Sequence, residues 1–549
     1  GMHYAGYPTR PGGFSSCLTY EYIMDLTDHV VNMGIELPEW QCIPSGDLRE
    51  FVVADREILG LVERHMAVMQ PSRSSIARSC FYGAFGPAKT APAMLRPTFG
   101  KSPLAMAQKK NFGWSYSIPA EKVDKIKTFM AARLRSVVDV SALRPLTWLE
   151  TVNGVADNTY IAPVSMSTSS GYPWLKLRSG TKSVWFERDD NGQIKGIDPL
   201  LMSACSNREE AARLGRCWPT AWIDTLKDER RAIEKVLSGK TRMFNNGPVD
   251  FTMVFRKYFA TFIGEIARNH LDFDCAIGLN PHSRSWDLLF RRLDSVVGDN
   301  WIAGDFSNYD GSIPQQFMQV ACEIVNGLYE DNNDLIREVL MTEIYNAVHL
   351  SNDTLYRVFR GNPSGNPFTT VMNSIVNSML MMYAWMECGY DLMQFDDAVR
   401  MTNFGDDNVL KVHPLFDKFT MEGIARTLAP IGITYTPASK NGINYKYCTL
   451  QDVSFLKRRF VESEEGIMYA PLDEASFYEM LYWWRETGDE DEAIKSTLRS
   501  HIDEMFHYGE TFYKKHMLVL QKLAAANKIH IAEFGKPWID LYRKNMVVA

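Results

Sequence analysis

The chain has 549 residues, a formal charge of −7, 46% hydrophobic residues and 13 tryptophans. This length exceeds what one hydrophobic core usually organises, and the composition excludes a disordered scaffold, so we expect a packed globular enzyme of several subdomains. The acidic total does not exclude a nucleic-acid partner, because such binding depends on a local basic channel rather than on net charge.

Cysteine and hydropathy patterns narrow the class of protein. Nine scattered cysteines without Cys-x-x-Cys spacing predict reduced thiols in a cytosolic compartment and argue against a structural zinc site. No apolar run approaches the roughly 18 residues that span a bilayer, and the amino terminus lacks a signal-peptide pattern, so we expect no transmembrane segment. Gly1 is assigned no role, because Gly1-Met2 is as consistent with a cloning remnant as with a cleavage product.

The first part of the chain mixes short helices with Gly- and Pro-rich loops, such as 82–87. A helix is predicted from Ala120 to Leu134, with Pro119 at its start, where a missing N–H is tolerated. Its basic residues are expected to face solvent. Further along, Tyr172-Pro173-Trp174 is typical of a rigid turn on an aromatic cluster.

The segment from Lys227 to Arg242 carries six basic residues against three acidic ones. A charge run is usually a solvated face. Arg side chains nevertheless fork onto phosphate oxygens and Lys offers a mobile point charge, so the segment is also suited to binding phosphate.

The strand predicted for Trp301 to Phe306 places Asp305 near its end, and Asp310 follows in the turn before Pro314. Helices are predicted for 314–328 and for 370–385. The loop Ser364-Gly365-Asn366-Pro367 precedes the second helix, in which the amide of Asn373 requires a hydrogen-bond partner.

Gly405-Asp406-Asp407 is predicted to lie at the tip of a β-hairpin, because 398–404 alternates in character and 409–412 is β-prone. Adjacent aspartates at a turn are usually only solvated. Together with Asp305, however, they suit Mg²⁺, which prefers hard oxygen ligands, and two such ions can assist phosphoryl transfer. The hypothesis is that Asp305 and Asp406 bridge two Mg²⁺ ions, with Asp407 a weaker partner and Mn²⁺ able to substitute.

The remaining segments are a turn at 436–440 and an apolar strand with a basic tip at 455–459. Beyond them, 477–484 and 510–526 are apolar at helical spacing, and their aromatic side chains are expected in a core.

Taken in order, these segments resemble the motifs of RNA-dependent RNA polymerases from picorna-like positive-strand RNA viruses, over about residues 168–460. Phe404 stands where relatives more often carry Tyr. The stretches 305–310 and 366–368 look more like insect-infecting members, such as iflaviruses or dicistroviruses. The motifs are Thr168 to Pro173, Lys227 to Arg242, Asp305 with Asp310, Ser364-Gly365 with Thr369 and Asn373, Gly405-Asp406-Asp407, Thr436 to Lys440, and Phe455 to Arg458.

This resemblance implies an α+β right-hand polymerase fold with fingers, palm and thumb. Residues 1–240 would form the fingers with an extension toward the thumb, and 241–290 a transition between fingers and palm. Residues 291–460 would form the palm, an antiparallel sheet backed by helices, and 461–549 the thumb. Fingers joined to the thumb would encircle the active site.

The resemblance also implies roles for individual side chains. Asp305, Asp406 and Asp407 would be catalytic metal ligands, and Lys440 would protonate the departing pyrophosphate. Asp310, Ser364 and Asn373, with Thr369 nearby, would sense the ribose 2′-hydroxyl. Arg230 and Arg459 depart from the pattern. Lys227, Arg231, Lys235, Lys240 and Arg242 would bind the triphosphate; Ser170, Gly171, Tyr172 and Pro173 the template; Lys457 and Arg458 the primer.

The function implied is RNA-templated RNA synthesis from nucleoside triphosphates, replicating a positive-strand viral genome. Expected partners are template and primer RNA, a protein primer and other viral replication proteins, in host cytoplasm at membrane-associated complexes. Protein-primed and de novo initiation both stay open, as does the oligomeric state. Two alternatives are a reverse transcriptase, which usually has a bulky aromatic where this chain has Asp310, and a non-catalytic RNA-binding protein that retains the fold.

Overall fold

The computed structural model describes residues 56–62, 64–98, 100–113, 116–438 and 446–549. Lys440 and Gly1 lie outside the described residues, as do Cys17 and Cys42. The strands are β1 (Arg56–Leu61), β2 (Ile76–Arg78), β3 (Thr90–Pro92), β4 (Phe186–Arg188), β5 (Ile194–Ile197), β6 (Ala221–Leu226), β7 (Arg230–Ala232), β8 (Met243–Asn246), β9 (Asn300–Ser307), β10 (Val348–Ser351), β11 (Thr354–Val358), β12 (Val399–Phe404), β13 (Asp407–Val412), β14 (Thr434–Pro437), β15 (Val461–Glu462), β16 (Met468–Tyr469) and β17 (Trp483–Arg485). The α-helices are α1 (Pro103–Lys109), α2 (Ala120–Val137), α3 (Trp148–Asn153), α4 (Trp174–Leu177), α5 (Pro199–Arg213), α6 (Ile233–Leu237), α7 (Val249–Arg268), α8 (Ser285–Leu293), α9 (Tyr309–Ser312), α10 (Gln315–Leu328), α11 (Asp334–Tyr345), α12 (Thr369–Glu387), α13 (Phe395–Ala398), α14 (Met421–Leu428), α15 (Glu474–Glu479), α16 (Glu490–Met505), α17 (Glu510–Ala526) and α18 (Trp538–Asn545).

A four-stranded antiparallel sheet of order β12-β13-β9-β14 carries the acidic motifs. β12 and β13 form the predicted hairpin, in which Phe404 pairs with Asp407. The predicted strand at Asp305 is also confirmed as β9, which lies in the middle of the sheet between β13 and β14. Its central position holds Asp305 beside the hairpin turn.

Helices α7, α10, α11 and α12 form the main hydrophobic core with this sheet. The side chains of α12 from Val371 to Trp385 are all buried, because apolar residues occur on every side of the helix. The predicted helices at 314–328 and 370–385 are confirmed as α10 and α12. α2 is confirmed as well, but one expectation about it is wrong: Arg133 does not face solvent and forms a buried ion pair with Asp274, at 2.6 Å.

A mixed five-stranded sheet has the order β1-β11-β10-β6-β8. It joins β1 and β6, from the residues expected to form the fingers, to β10 and β11, from the residues expected to form the palm. Its only parallel pairing among the described residues is between β10 and β6. The buried carboxylate of Asp224 on β6 accepts hydrogen bonds from Asn245 at 2.7 Å and from Tyr356, which ties the strands together. The sheet leads at β8 to the loop that contains Ser364 and Gly365, since Asn246 and Gly365 form an isolated bridge.

The carboxyl-terminal helices α15 to α18 enclose a second core that includes Phe81 from the amino-terminal part of the chain. The predicted burial of the aromatic residues is confirmed, since Phe477 and Trp483 both belong to this core. The single helix expected over 477–484 is wrong, because α15 ends at Glu479 and Trp483 begins β17. β17 pairs with β2, and this pairing takes the backbone hydrogen bonds that a longer helix would have used.

The seven cysteines in the described part of the chain are free thiols. No helix in the same part of the chain is long and apolar enough to cross a membrane.

Candidate active site

The two-residue turn between β12 and β13 presents Asp406 and Asp407. Gly405 occupies the first central position with a φ of 62°, a left-handed conformation that glycine adopts without steric cost. On the neighbouring strand, Gly304 pairs with Asn408, so Asp305 lies one residue further along the ladder, beside the turn. The structure therefore brings Asp305, Asp406 and Asp407 together, as the sequence predicted.

A polar face of α12 holds this turn from below. The Ser374 hydroxyl accepts a hydrogen bond from the Gly405 N–H at 2.9 Å, and the Asn377 amide donates to the Gly405 carbonyl at 2.9 Å. The Asn408 side-chain amide then donates to Oδ1 of Asn377 at 2.9 Å. Ser374 and Asn377 were missed by the sequence reasoning, although a polar residue four positions after Asn373 in an apolar helix was a usable signal.

The three carboxylates repel one another in a partly shielded cleft. Asp305 and Asp406 are exposed, yet desolvation and the charge of Asp305 raise the pKa of Asp406 above its usual range. Desolvation and both neighbouring carboxylates raise the pKa of Asp407 to about 6. Like charges held this close favour protonation unless a cation compensates them.

A divalent cation fits this donor set. The three side chains offer only hard carboxylate oxygens, the ligand type that Mg²⁺ and Mn²⁺ prefer. Repulsion from neighbouring carboxylates contributes to the raised pKa values of Asp406 and Asp407, after desolvation, and a bound cation would offset that repulsion. Asp305, Asp406 and Asp407 are thus the residues that would hold the metal.

Asp310 lies on the short helix α9, beside the same cleft. Asn373 donates to its Oδ1 at 2.5 Å, which confirms that this amide has a partner. Desolvation is the main cause that raises the pKa of Asp310 to about 6, with Asp406 adding to it. Ser364 does not join the pair: its hydroxyl is buried and has no hydrogen-bond partner in the described part of the chain. Thr369 instead donates to the Asn366 carbonyl at 2.9 Å.

Basic side chains from the segment Lys227 to Arg242, which includes β7 and α6, form one wall of the cleft. Arg242 forks onto both oxygens of Glu229, and Lys227 lies 3.5 Å from the same carboxylate. The carboxylates of Asp406 and Asp310 help to raise the pKa of Arg242, after its bond to Glu229. Arg231 donates to the Lys240 carbonyl at 2.7 Å. The basic segment therefore faces the acidic cluster.

Lys110 adds a positive charge to this wall that the sequence reasoning missed. Burial and the nearby charges of Arg231, Lys240, Lys235 and Arg242 lower its pKa. No sequence signal marked Lys110, because it is remote from the basic segment along the chain.

The residues predicted to contact the template are buried rather than exposed at the surface of the cleft. Ser170 and Tyr172 are 0% and 1% exposed, and Gly171 and Pro173 are also buried. Trp174 continues this cluster and packs edge-on against Trp185, with ring centroids 4.9 Å apart. The side chains of Ser170 and Tyr172 present no surface to RNA, and the alternative prediction, a rigid turn on an aromatic cluster, matches the geometry.

The basic tip at 455–458 is a tight turn beside the metal-ligand candidates. Leu456 and Lys457 have φ values of 54° and 58°, as in a type I′ turn. Lys457 is exposed, but Arg458 is engaged with Glu504 through two hydrogen bonds of 2.7 Å. The predicted apolar strand is absent from this described segment. The side chain of Arg458 is 11% exposed, and its contact with the primer stays a prediction.

A second cluster in the described part of the chain could hold a cation: His282, Glu504 and His507. The Ala470 N–H donates to Nδ1 of His507 at 3.1 Å, so the proton of the neutral ring is on Nε2. That N–H faces Nδ1 of His282 at 2.9 Å, and Nε2 of His282 lies 3.2 Å from Glu504. These contacts form a continuous hydrogen-bond chain, so no nitrogen of His507 is left for a metal.

Comparison with known proteins identifies the family. A family model described as viral RNA-dependent RNA polymerase matches residues 86–526. The chain belongs to this family. The polymerase is also similar to the replicase polyprotein of Acute bee paralysis virus (strain Rothamsted), with 32% identity over 89% of this chain and 26% of the relative.

Two further relatives come from different hosts. The replicase polyprotein of Cricket paralysis virus is 30% identical over 95% of the polymerase and 32% of the relative. The genome polyprotein of Rice tungro spherical virus (strain Vt6) is 28% identical over 96% of the polymerase and 16% of the relative. The polymerase spans about a quarter to a third of the length of the two replicase polyproteins. The prediction of a picorna-like viral polymerase is confirmed.

Among solved structures, the polymerase is similar to the Sicinivirus 3Dpol RNA dependent RNA polymerase. The TM-score is 0.72 and the identity 23%, with 87% of this chain and 96% of the other covered. This likeness confirms the α+β right-hand fold.

Proposed function

We propose that the polymerase extends the 3′ end of an RNA strand on an RNA template, adds nucleoside triphosphates and releases pyrophosphate by a two-metal mechanism. The observation that carries the proposal is the convergence of Asp305, Asp406 and Asp407 opposite a basic wall. Membership of the family supports RNA-templated synthesis. The likeness to replicase polyproteins supports other viral replication proteins as partners, and a protein primer stays a prediction.

The basic wall is proposed to bind the triphosphate. Arg242 carries a planar guanidinium, already oriented by Glu229, and this geometry suits phosphate oxygens. Lys227 shares the carboxylate of Glu229, so Glu229 holds both cations in the wall that an incoming phosphate would meet. Arg231, Lys235 and Lys240 add charge along the same segment.

The acidic cluster is proposed to position the reacting groups. When bound, Mg²⁺ lowers the pKa of the attacking 3′-hydroxyl and neutralises charge on the leaving pyrophosphate. The clamp of Ser374 and Asn377 on Gly405 keeps the turn rigid, so Asp406 need not be reorganised during the reaction. Asp310 and Asn373 orient the ribose, and Lys440 is proposed to donate a proton to pyrophosphate.

The test is primer extension on a defined RNA hairpin with Mg²⁺ and NTPs. We expect Asp406→Asn to lower the extension rate by about 10³-fold, the loss typical for a group that stabilises transition-state charge. Its affinity for RNA should stay within about twofold, because the acidic cluster contributes no attraction to phosphate.

Asp417→Asn is the matched control, since Asp417 is an exposed carboxylate in the loop after β13. It should extend the primer at the wild-type rate. Undiminished synthesis by Asp406→Asn would reject the metal assignment, and a preference for dNTPs would indicate a reverse transcriptase instead.

A further inference from the structure

Three buried asparagines form a hydrogen-bonded chain that ends on Asp310. Asn366 donates to Oδ1 of Asn362 at 2.8 Å, and Asn362 donates to Oδ1 of Asn373 at 2.9 Å. Asn373 in turn donates to Oδ1 of Asp310 at 2.5 Å. The three amides are 4–6% exposed, so water does not compete for these bonds. We call Asn366, Asn362 and Asn373 the amide relay.

Backbone groups determine the direction of the amide relay. The Phe368 N–H, which can only donate, is bonded to Oδ1 of Asn366 at 2.9 Å. The Pro363 carbonyl, which can only accept, is bonded to Nδ2 of the same amide at 2.6 Å. Asn366 therefore cannot flip without losing both bonds. Because each amide dictates the orientation of the next, Nδ2 of Asn373 must face Asp310.

The amide relay also positions the backbone of Asp310. The Asn362 N–H donates to the Asp310 carbonyl at 2.7 Å. Oδ2 of Asp310 has no hydrogen-bond partner in the described part of the chain, and neither has the buried Ser364 hydroxyl between Asn362 and Asn366. A ligand hydroxyl that both donates and accepts would fit such groups.

We propose that Asn362, oriented by Asn366, is a positioning residue for ribose selection. It contacts no substrate itself and acts by holding Asn373 and Asp310 in the one arrangement that accepts a 2′-hydroxyl. The inference rests on the proposed function, in which Asp310 and Asn373 sense the ribose. Without the donor of Asn362, the Asn373 amide is free to rotate, and a ribonucleotide loses its advantage over a deoxynucleotide.

The experiment measures kcat/KM for ATP and for 2′-dATP in primer extension on one RNA hairpin. Asn362→Leu keeps the size of the side chain and removes its donor. We expect the ATP/2′-dATP ratio to fall about tenfold, mainly through kcat/KM for ATP, as loss of one hydrogen bond to a polar site would predict. A merely structural role would lower both values equally and leave the ratio unchanged, which would overturn the proposal.

Two further variants keep the outcomes distinct. Asn373→Leu removes the group that contacts Asp310: an unchanged ratio there rejects ribose sensing by this pair and the proposed role of the relay with it. If the ATP/2′-dATP ratio falls in Asn373→Leu and stays unchanged in Asn362→Leu, the role of Asn362 is rejected, and ribose sensing by Asp310 and Asn373 stands. If Asn362→Leu fails to fold, Asn362→Ala, which relieves any crowding, must show the same fall in the ratio, and its failure to do so overturns the proposal.

Discussion

At the scale of single residues, the active-site cleft depends on acidic side chains that orient basic side chains. Glu229 is the example: its carboxylate binds Arg242 on both oxygens and lies 3.5 Å from Lys227. Burial opposes its ionisation, but Arg242 and Lys227 hold the pKa of Glu229 below its usual range. The carboxylate is therefore charged at neutral pH and keeps both cations in place.

Glu229→Gln should raise KM for NTPs several-fold, because an amide cannot accept both forks of Arg242 and the guanidinium loses its orientation. kcat should change less, since the reacting groups are held elsewhere. Steady-state primer extension measures both constants. Glu234→Gln is the control, since Glu234 is an exposed acid of the same segment. An unchanged KM in Glu229→Gln would show that Arg242 needs no partner.

At the scale of elements, the four-stranded sheet requires a residue without a side chain in its central strand. A Cβ on Gly304 would lie 1.8 Å from the ring of Tyr435, whose hydroxyl donates to Asn408 at 2.7 Å. The ring of Tyr435 covers β9 where Asp305 follows. The position of the metal-ligand candidate thus depends on the close packing of β14 over β9.

Gly304→Ala should lower the free energy of unfolding by about 1–3 kcal/mol, the usual cost of overpacking a core. Tyr435→Phe should cost about 1 kcal/mol, the value of one hydrogen bond. Urea unfolding followed by tryptophan fluorescence compares the two. In Gly304→Ala/Tyr435→Leu the smaller side chain should recover part of the loss, and no recovery would show that Tyr435 is not what the new methyl group meets.

At the scale of the whole molecule, the amino-terminal segment is joined to the carboxyl-terminal region, which is predicted to form the thumb. β2 pairs with β17, and Tyr482 donates to the Gly86 carbonyl at 2.9 Å. Buried Glu479 accepts hydrogen bonds from the Lys89 N–H and the Thr90 hydroxyl, and from Trp483 at 3.2 Å. These contacts tie the amino-terminal segment to the carboxyl-terminal helices. The assignment of the two parts as fingers and thumb that encircle the active site stays a prediction.

Glu479→Gln should shorten the lifetime of the polymerase on RNA by several-fold. The NH₂ group of the glutamine would face groups that donate hydrogen bonds to Glu479, and the contact between the two parts of the chain would weaken. A stalled elongation complex challenged with competitor RNA measures this lifetime. Glu474→Gln, an exposed substitution at the start of the same helix, should have no effect. Equal lifetimes for both variants would mean that the contacts of Glu479 do not help to keep the polymerase on RNA.

The contact of Glu504 with His282 and Arg458 predicts a pH dependence. Despite burial, bonds from His282 and Arg458 lower the pKa of Glu504 from 4.5 to about 2. A lowered folded-state pKa contributes stability that is present above pH 4.5 and is lost as the pH falls toward 2. That contribution is on the order of 3 kcal/mol. Glu504→Gln should therefore be less stable than wild type at pH 6, with a difference that shrinks on acidification.

Urea unfolding between pH 6 and pH 3 tests this dependence. Glu510→Gln, an exposed change on the next helix, should follow the wild-type curve throughout. A pH-independent difference between Glu504→Gln and wild type would exclude the ion pair as its source.

The order of the motifs along the chain was enough to predict the family. Local patterns were enough to predict the hairpin, the strand at Asp305 and the helix of Asn373. Local patterns suffice there, because a β-prone alternation and an apolar helical run each specify one element from neighbouring residues. Only the tertiary structure decided three features: the partner of the Arg458 side chain, the burial of Tyr172 and the residues at which α15 begins and ends. Arg458 meets Glu504 and Trp483 meets β2, and these partners are distant in the chain, so no local pattern encodes them. Ser374 and Asn377 contact Gly405 only because the fold places α12 against the turn. Asn362 likewise bonds to Asn373 only after the loop packs against α12. The role of a buried amide depends on the group that it faces in the folded protein.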